Sequence, residues 1–390
     1  MAKTSVFDVL IVYSERLAAS ADSPGDETPA PFAKGSSSES YNLVYSYFLN
    51  VCRKNHLRSA FTTSADITGA GRCRSYWLFE RNRWMKVRQP GYSKVIFDKF
   101  FPVNKKITAS RNLLFSSKEV APFNDPYLFD LFFDKQKTFA KLCAFSIPTV
   151  TIKDGSYGSI EKACKTLQEL LARHPQQNDF SDEVIMKDRF GAGGIHVYKF
   201  KAGQYRKIMA SMKKHQNTPF ILQPFVKFDK GFRYQNVRIS ADIRLIYLGT
   251  KIIQTYIRIA KAGDFRCNEH QGGLLKYISK REVPSEAVIR ANKIVNALHN
   301  KRSLITLDFV ISNHGNLYLL EGNTGPGLDW NVSIKENEIE AKKLIRIIVR
   351  ELVQRVRVPI DTTGRQVKQT LIDTPPIDNY PVAPTGFVPA

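Results

Sequence analysis

The sequence predicts an α+β protein with more than one folded part. Three observations carry that expectation. Short β-branched and aromatic runs alternate with stretches whose apolar residues recur at helical spacing. Two pairs of runs are separated by hairpin turns, and 390 residues predict two or three domains rather than one.

Residues 6–13 (VFDVLIVY) read as one buried strand, ended by Ser14. Residues 20–40 are rich in Ser, Pro, Gly and acid and read as a mobile loop. An apolar face over 41–55 predicts a helix, and 95–98 predicts another strand, so residues 1–125 suggest a small α/β domain. A helix over 134–145 ends before Pro148, and a second, over 159–172, carries Ile160, Cys164, Leu167 and Leu171 on one stripe. Strands at 183–187 and 195–200 flank a glycine loop. The run Phe220–Val226 reads as a strand that Pro224 bars from a regular central position. Strands at 241–248 and 251–259 form a hairpin about Gly249-Thr250. Helices over 285–299 and 335–356 enclose a second hairpin at 304–323. Six prolines between Pro359 and Pro389 mark 358–390 as an extended or disordered tail. No internal repeat is visible.

Composition narrows the class. No run approaches about 18 consecutive apolar residues, so a membrane span is not expected. The opening stretch, with Asp8 inside its apolar run, does not read as a signal peptide. Five scattered cysteines without a CxxC pair argue against a disulfide framework or a thiolate zinc site, and favour the reducing cytoplasm. Lys+Arg 58 against Asp+Glu 36 gives a net charge of +22, which attracts nucleic acid, phosphate-rich substrates, acidic peptides or anionic membranes.

The second hairpin holds the clearest chemistry. With His314-Gly315 as the central turn residues, Asp308 faces Glu321 and Asn323 points to the same face. Two opposed carboxylates repel, and a hard divalent cation repairs that. The plain alternative is a solvated polar face, but Leu307, Phe309, Leu319 and Leu320 make the flanks apolar, which favours the metal. Lys187 stands at a strand end before Gly191, Gly193 and Gly194, a loop whose amides suit phosphates, though it has neither Walker A nor full GxGxxG spacing. An ordinary hairpin turn is the competing reading. Arg244, Arg258 and Arg266 precede Gly272-Gly273 and suit a carboxylate or a transferring phosphate; surface charge is the alternative.

Taken together these segments resemble the ATP-grasp superfamily, nearest the RimK-like carboxylate–amine ligases, over roughly residues 126–357. The resemblance rests on Asp134-Lys135 with Ile147-Pro148, the Lys187 strand and its glycine loop, and residues 221–226. It continues through Asp242-Ile243-Arg244, Gly263 to Arg266 with Asn268 and Gly272-Gly273, Leu307-Asp308-Phe309, and Leu320 to Gly327. It implies an ATP-grasp fold, two α+β subdomains gripping ATP, with a lid at about 150–224 and a small α/β pre-ATP-grasp domain at 1–125. It implies that Lys135 and Lys187 bind ATP phosphates, that Gly191, Gly193 and Gly194 close over them, and that Gln223, Phe225 and Val226 read adenine. By the same resemblance Asp308, Glu321 and Asn323 hold two Mg²⁺ ions, or Mn²⁺ in their place. Arg258, Asn268 and Gly273 act in catalysis, and Arg244, Arg258 and Arg266 in substrate binding. The implied reaction forms an amide through an acyl phosphate on a small molecule or acidic peptide, and many relatives self-associate. Gln223-Pro224 departs from the acidic residue that many members carry after the glutamine. His196 and His270 lie near the motifs and are read as structural.

Residues 72–111 hold eleven Lys/Arg and two acids, with Trp77, Phe79, Trp84 and Tyr92 interleaved. A nucleic-acid strand could stack and pair there, or the aromatics could simply be core. For a ligase, steering of an acidic peptide is the preferred reading. The rivals are an ATP-binding regulatory or nucleic-acid-binding protein and a kinase-like phosphotransferase.

Overall fold

A computed structural model describes residues 3–24 and 29–357; the expected tail at 358–390 lies outside the described residues. The chain divides into two compact units, one made of Met1–Pro126 with the stretch from Gly325 on, the other holding Tyr127–Thr324. Among the described residues no helix is long and apolar enough to cross a membrane.

The first unit contains β1 (Val9–Tyr13), α1 (Tyr41–Lys54), β2 (Ser59–Thr63), β3 (Tyr76–Glu80), β4 (Arg83–Val87), β5 (Val95–Lys99), α2 (Lys105–Leu114) and β6 (Ala121–Pro122). Its main sheet runs β6-β5-β1-β2-β3-β4. The first three pairings are parallel and the last two antiparallel. The apolar run of β1 is buried at every position, as a central parallel strand requires. The expected single strand over 6–13 is in fact two. Ser5–Val6 pairs with Gly91–Tyr92 in a separate small sheet, and the chain breaks at Asp8, whose carboxylate accepts from the Arg58 N–H at 2.7 Å. The described part of 20–40 has no regular structure, yet Phe32 is 1% exposed and packs among Tyr13, Tyr41 and Tyr45.

The Lys335–Arg357 helix belongs to this unit, although the sequence grouped it with the hairpin before it. Its buried Ile345, Ile348 and Leu352 need apolar cover, and the helix packs against α1 and β5.

The second unit contains α3 (Pro126–Phe133), α4 (Lys135–Leu142), β7 (Val150–Thr151), α5 (Tyr157–Ala172), β8 (Phe180–Asp188), β9 (Val197–Lys201), α6 (Tyr205–Lys214), β10 (Phe220–Val226), β11 (Ala241–Leu248), β12 (Lys251–Ile259), β13 (Leu274–Tyr277), α7 (Ser285–Ala297), β14 (Leu304–Ile311) and β15 (Leu317–Asn323). Two antiparallel sheets result, β7-β10-β8-β9 and β13-β12-β11-β14-β15. The smaller has its own core, including Ile160, Leu167, Ile208 and Phe220 from α5, α6 and β10. The larger is covered by α7 through Ala287, Ala291 and Ile294.

β10 is an inner strand, but at Pro224 its position is not a regular central one, as the proline predicts. Its neighbour β7 reaches only Leu222, and β8 shifts register between Phe180 and Val184, where Pro224 pairs. The proline therefore falls at a ladder irregularity, where a missing N–H costs least.

Both hairpins of the larger sheet carry a bulge. The β11–β12 turn is the expected Gly249-Thr250, with Leu248 opposite Lys251, but the register slips by one between Tyr247 and Ile246. In β14–β15 the turn is wider than the expected two residues: Ile311 faces Leu317, and Ser312 N donates to the Asn316 carbonyl at 2.8 Å. A shift between Phe309 and Asp308 then restores the expected pairing of Asp308 with Glu321. The far side of this turn is pinned to the segment after β10: Asn313 N donates to the Lys227 carbonyl at 2.7 Å, and Lys230 N to Asn313 Oδ1 at 2.9 Å.

Gly231 lies in that contact, where an added Cβ would stand 1.7 Å from the Ile311 carbonyl oxygen. Both partners are backbone and neither can rotate away. Gly231→Ala should lower unfolding free energy by about 1–3 kcal/mol or more, read as a drop in the urea midpoint.

Candidate functional site

A cavity of about 840 Å³, counted out to its open mouth, lies within the second unit. Lys135 enters from the start of α4, where Asp134 caps the helix by accepting from Gln136 N at 2.9 Å. Arg189 grips the same Asp134 with two N–H donors at 2.7 and 2.6 Å, so the helix start is tied to the end of β8. Lys187, 6% exposed, projects from β8 into the cavity. Beyond it Asp188 accepts from Phe190 N at 2.8 Å and shapes the glycine loop, whose Gly193 and Gly194 take left-handed φ of 68° and 72°. Lys135 Nζ donates to the Gly191 carbonyl, which fastens the loop to α4.

From β10, Gln223, Phe225 and Val226 line the cavity, and Gln223 is held by donating to Thr149 Oγ1 at 2.7 Å. Ile147, Ile185, Val310 and Leu320 complete an apolar wall, while Glu321 brings a carboxylate from β15. Burial pushes Lys187 down to about 8, and the Glu321 charge works against that fall. Lys135 is lowered by burial too, with Glu321, Asp188 and Asp134 opposing.

Behind the cavity a row of alternating charges crosses three strands. Arg258 donates to Asp242 twice at 2.8 Å and to Asp308 Oδ2 at 2.7 Å. Arg244 holds Asp308 from the other side with Nε at 2.6 Å and with its NH2 group. The Tyr256 hydroxyl accepts a further N–H from Arg244 at 3.1 Å. All four charged side chains are buried. Burial pushes Asp308 up, but two arginines outweigh it and hold its carboxyl below the usual range. Asp242, with Arg258 as its one bonded partner, stays raised by burial. Arg258 is itself kept firmly charged by its two aspartates against the pull of burial.

Of the residues expected at a site, Lys135, Lys187, Gly191, Gly194, Gln223, Phe225, Val226, Arg266, Asn268 and Glu321 line this one cavity. Gly193, Gly273, Arg244, Arg258, Asp308 and Asn323 do not border it. Arg244 and Arg258, expected to meet an anionic substrate, are instead spent on buried carboxylates, and Arg266 is paired with Asp264 at 2.8 Å. Gly273 is required by packing: a Cβ there would lie 2.1 Å from the Cys267 carbonyl. Sequence reasoning gave no role to Asp188, Asp242 or Phe265, which also line the cavity.

Among the described residues no group of three His, Cys, Asp or Glu could hold a metal. The candidate set is two carboxylates and an amide. Asp308 and Glu321 are directly opposed, and Asn323 Nδ2 lies 3.3 Å from Glu321 Oε1. All three carry oxygens, the donors Mg²⁺ takes, but in this structure both Asp308 oxygens already accept from Arg244 and Arg258, which leaves Glu321 and Asn323 as the open donors.

Solved structures share this architecture. D-alanyl-alanine synthetase A from Vibrio cholerae superposes with a TM-score of 0.54 at 14% identity, covering 90% of this chain and 99% of that one. An ATP-grasp RimK domain protein from Sphaerobacter thermophilus gives 0.51 at 10%, covering 87% and 98%. Residues 159–348 match the family model of the RimK-like ATP-grasp domain. In sequence the chain is 38% identical over 148 residues to a "Probable alpha-L-glutamate ligase" of Pseudomonas putida (strain GB-1), covering 37% of this chain and 44% of that protein. The matched region spans under half the length of such relatives.

Removing Asp308 leaves Arg258 with Asp242 and buried Arg244 with only Glu321, 3.8 Å away. Asp308→Ala should cost about 3–5 kcal/mol of stability. The double variant Asp308→Ala/Arg244→Met should recover part of that loss in urea titrations.

Proposed function

We propose that this chain is an ATP- and Mg²⁺-dependent carboxylate–amine ligase acting on an amino acid or an acidic peptide. The observation that carries the proposal is the pair of cavity lysines, half-buried Lys135 and buried Lys187, set with Glu321 around a cavity closed on one side by a glycine loop. Two cations and exposed loop amides favour a polyphosphate. The RimK-like domain and the alpha-L-glutamate ligase relatives support the same chemistry. The five free cysteines fit a reducing cytoplasm.

In this reading the adenine lies along Gln223 to Val226, and Lys135 and Lys187 take the phosphates under residues 191–194. Glu321 and Asn323, beside Asp308, would hold two Mg²⁺, or Mn²⁺, whose charge offsets that of the phosphates. A carboxylate oxygen of the substrate attacks the γ-phosphorus, the bond to the bridging oxygen breaks, and ADP leaves. An amine nitrogen then attacks the acyl carbon; phosphate departs with the carboxylate's oxygen, and the nitrogen gives up a proton. Arg266 and Asn268 border the reacting groups. Arg258 and Arg244, held by Asp242 and Asp308 behind the cavity, keep the strands that carry the site in register and do not meet the reacting groups. Closing the 191–194 loop keeps water from the acyl phosphate.

Phosphate release from MgATP should rise with a particular acid-plus-amine pair. Glu321→Ala should lower that stimulated rate by about 10²-fold or more. With ¹⁸O in the substrate carboxylate, one label should appear in inorganic phosphate by mass spectrometry. Phosphorylated acid accumulating with no amine requirement would instead assign a phosphotransferase, and tight ATP binding without turnover a regulatory protein.

A further inference from the structure

The glycine loop between β8 and β9 is gripped at its start, where Arg189 holds Asp134 and Lys135 Nζ reaches the Gly191 carbonyl. Its tip has one long bond, from Gln271 Nε2 to the Gly193 carbonyl at 3.4 Å. Its exit is made by His196, which stands between two residues that line the cavity, Ile195 and Val197. The Asp188 N–H donates to the His196 carbonyl at 3.2 Å, so the backbone of His196 closes the loop onto the end of β8.

Histidine is a costly residue for that place. The φ of His196 is 55°, in the left-handed region that glycine enters freely and a residue with a Cβ enters at a cost. Such a conformation persists where the surroundings impose it, and here they do. The His196 ring lies on that of His215, the residue that ends α6, with centroids 4.1 Å apart and planes inclined at 41°. His215 is fixed in turn. Its Nε2 shares a hydrogen bond of 2.6 Å with the Tyr198 hydroxyl, and its ring stands 6.4 Å from that of Phe220. Phe220 belongs to the core of the smaller sheet and Tyr198 packs against it. His196 Nδ1 also lies 3.8 Å from Asp188 Oδ2, on the carboxylate whose other oxygen accepts from Phe190 N. One imidazole thus ties the exit of the loop to α6, and through His215 to the sheet.

We propose that His196 is a positioning residue for the nucleotide phosphates: its stack on His215 holds the 191–194 loop over the cavity, and the backbone strain at residue 196 is the cost of that hold. The inference deepens the ligase reading and rests on it for the identity of the phosphate ligand, but the hold on the loop needs no ligand. A residue that served only as a turn would be improved by glycine, which relieves the strain. A residue whose ring positions the loop would not. The two roles predict opposite outcomes of the same substitution.

The test compares His196→Gly, His215→Ala and His215→Phe in the full chain, by amide hydrogen exchange without ligand and by calorimetric titration with MgATP. In His196→Gly the amides of 190–197 should exchange faster while inner strands and helices stay protected. Its MgATP dissociation constant should rise about three- to tenfold, the range for a lost ring pair. Its thermal midpoint should stay level or rise, because glycine relieves the left-handed backbone. His215→Ala should reproduce the exchange and affinity changes, and the double variant His196→Gly/His215→Ala should be no weaker than either single one, since each removes the same contact. His215→Phe keeps a ring against His196 and should bind MgATP as wild type does. Wild-type loop exchange and MgATP affinity in His196→Gly would reduce His196 to a turn residue and overturn the proposal. So would His215→Phe as impaired as His215→Ala, which would assign the effect to the Tyr198 bond. A lower thermal midpoint in His196→Gly, with exchange rising throughout the chain, would overturn it as well. A loop that answers to these variants in a protein that binds no MgATP would sink the ligase reading alone, while ligation with a loop indifferent to them would sink this inference alone.

Discussion

Four buried charges, Arg244, Asp308, Arg258 and Asp242, are the constraint on which the larger sheet depends. Taking any one of them out of water is expensive, by several kcal/mol per ion even after relaxation. What makes the set tolerable is alternation: each aspartate lies against a guanidinium, and the fork of each arginine is met by a carboxylate in two-point contact. Asp308 is shared by both arginines, and this is why its carboxyl is held low while that of Asp242, bonded to one, is not. The row fixes β11, β12 and β14 against one another in a register no apolar contact would specify so strictly.

That register is made by irregularities. Counting back from the Gly249-Thr250 turn without interruption would set Asp242 opposite Ile257. The bulge at Ile246/Tyr247 sets it opposite Arg258 instead, and Arg244 opposite Tyr256. On the neighbouring hairpin the wide turn would carry Asp308 past Leu320, and the bulge there returns it to Glu321. Bulges bend a strand and re-aim its side chains, and they gather beside functional sites. Here one bulge assembles the charge row, and the other brings Glu321 beside the lysines.

The split between what was legible and what was not follows from this. Local signals reported well: the Gly249-Thr250 hairpin, the Lys187 strand with its glycine loop, and the helix capped by Asp134 all lie where their own residues place them. Ten expected site residues meet at one cavity because each sits beside a local marker, a strand end, a glycine pair or a cap. What could not be read is pairing between distant segments. The burial of Arg244 and Arg258 on aspartates depends on strands 64 and 50 residues away along the chain. The placement of the Lys335–Arg357 helix depends on a face offered by α1, nearly the whole chain earlier. Pro224 marked the irregular position, but where β7 stops beside it is a property of the sheet and not of β10.

The lysine side of the cavity follows the same logic by a shorter route. Arg189, two residues after Lys187, clamps Asp134, the residue before Lys135. Lys135 N donates in turn to the Arg189 carbonyl at 3.2 Å, and its Nζ to Gly191. Helix start, strand end and glycine loop are thus one mechanical piece, and neither lysine can shift without dragging the loop. Burial lowers both lysines toward neutrality while Glu321 resists. A cavity so poised gains most from a ligand that brings negative charge to both ammonium groups at once. A polyphosphate does this, whereas a single carboxylate satisfies one lysine and leaves the other buried and under-compensated.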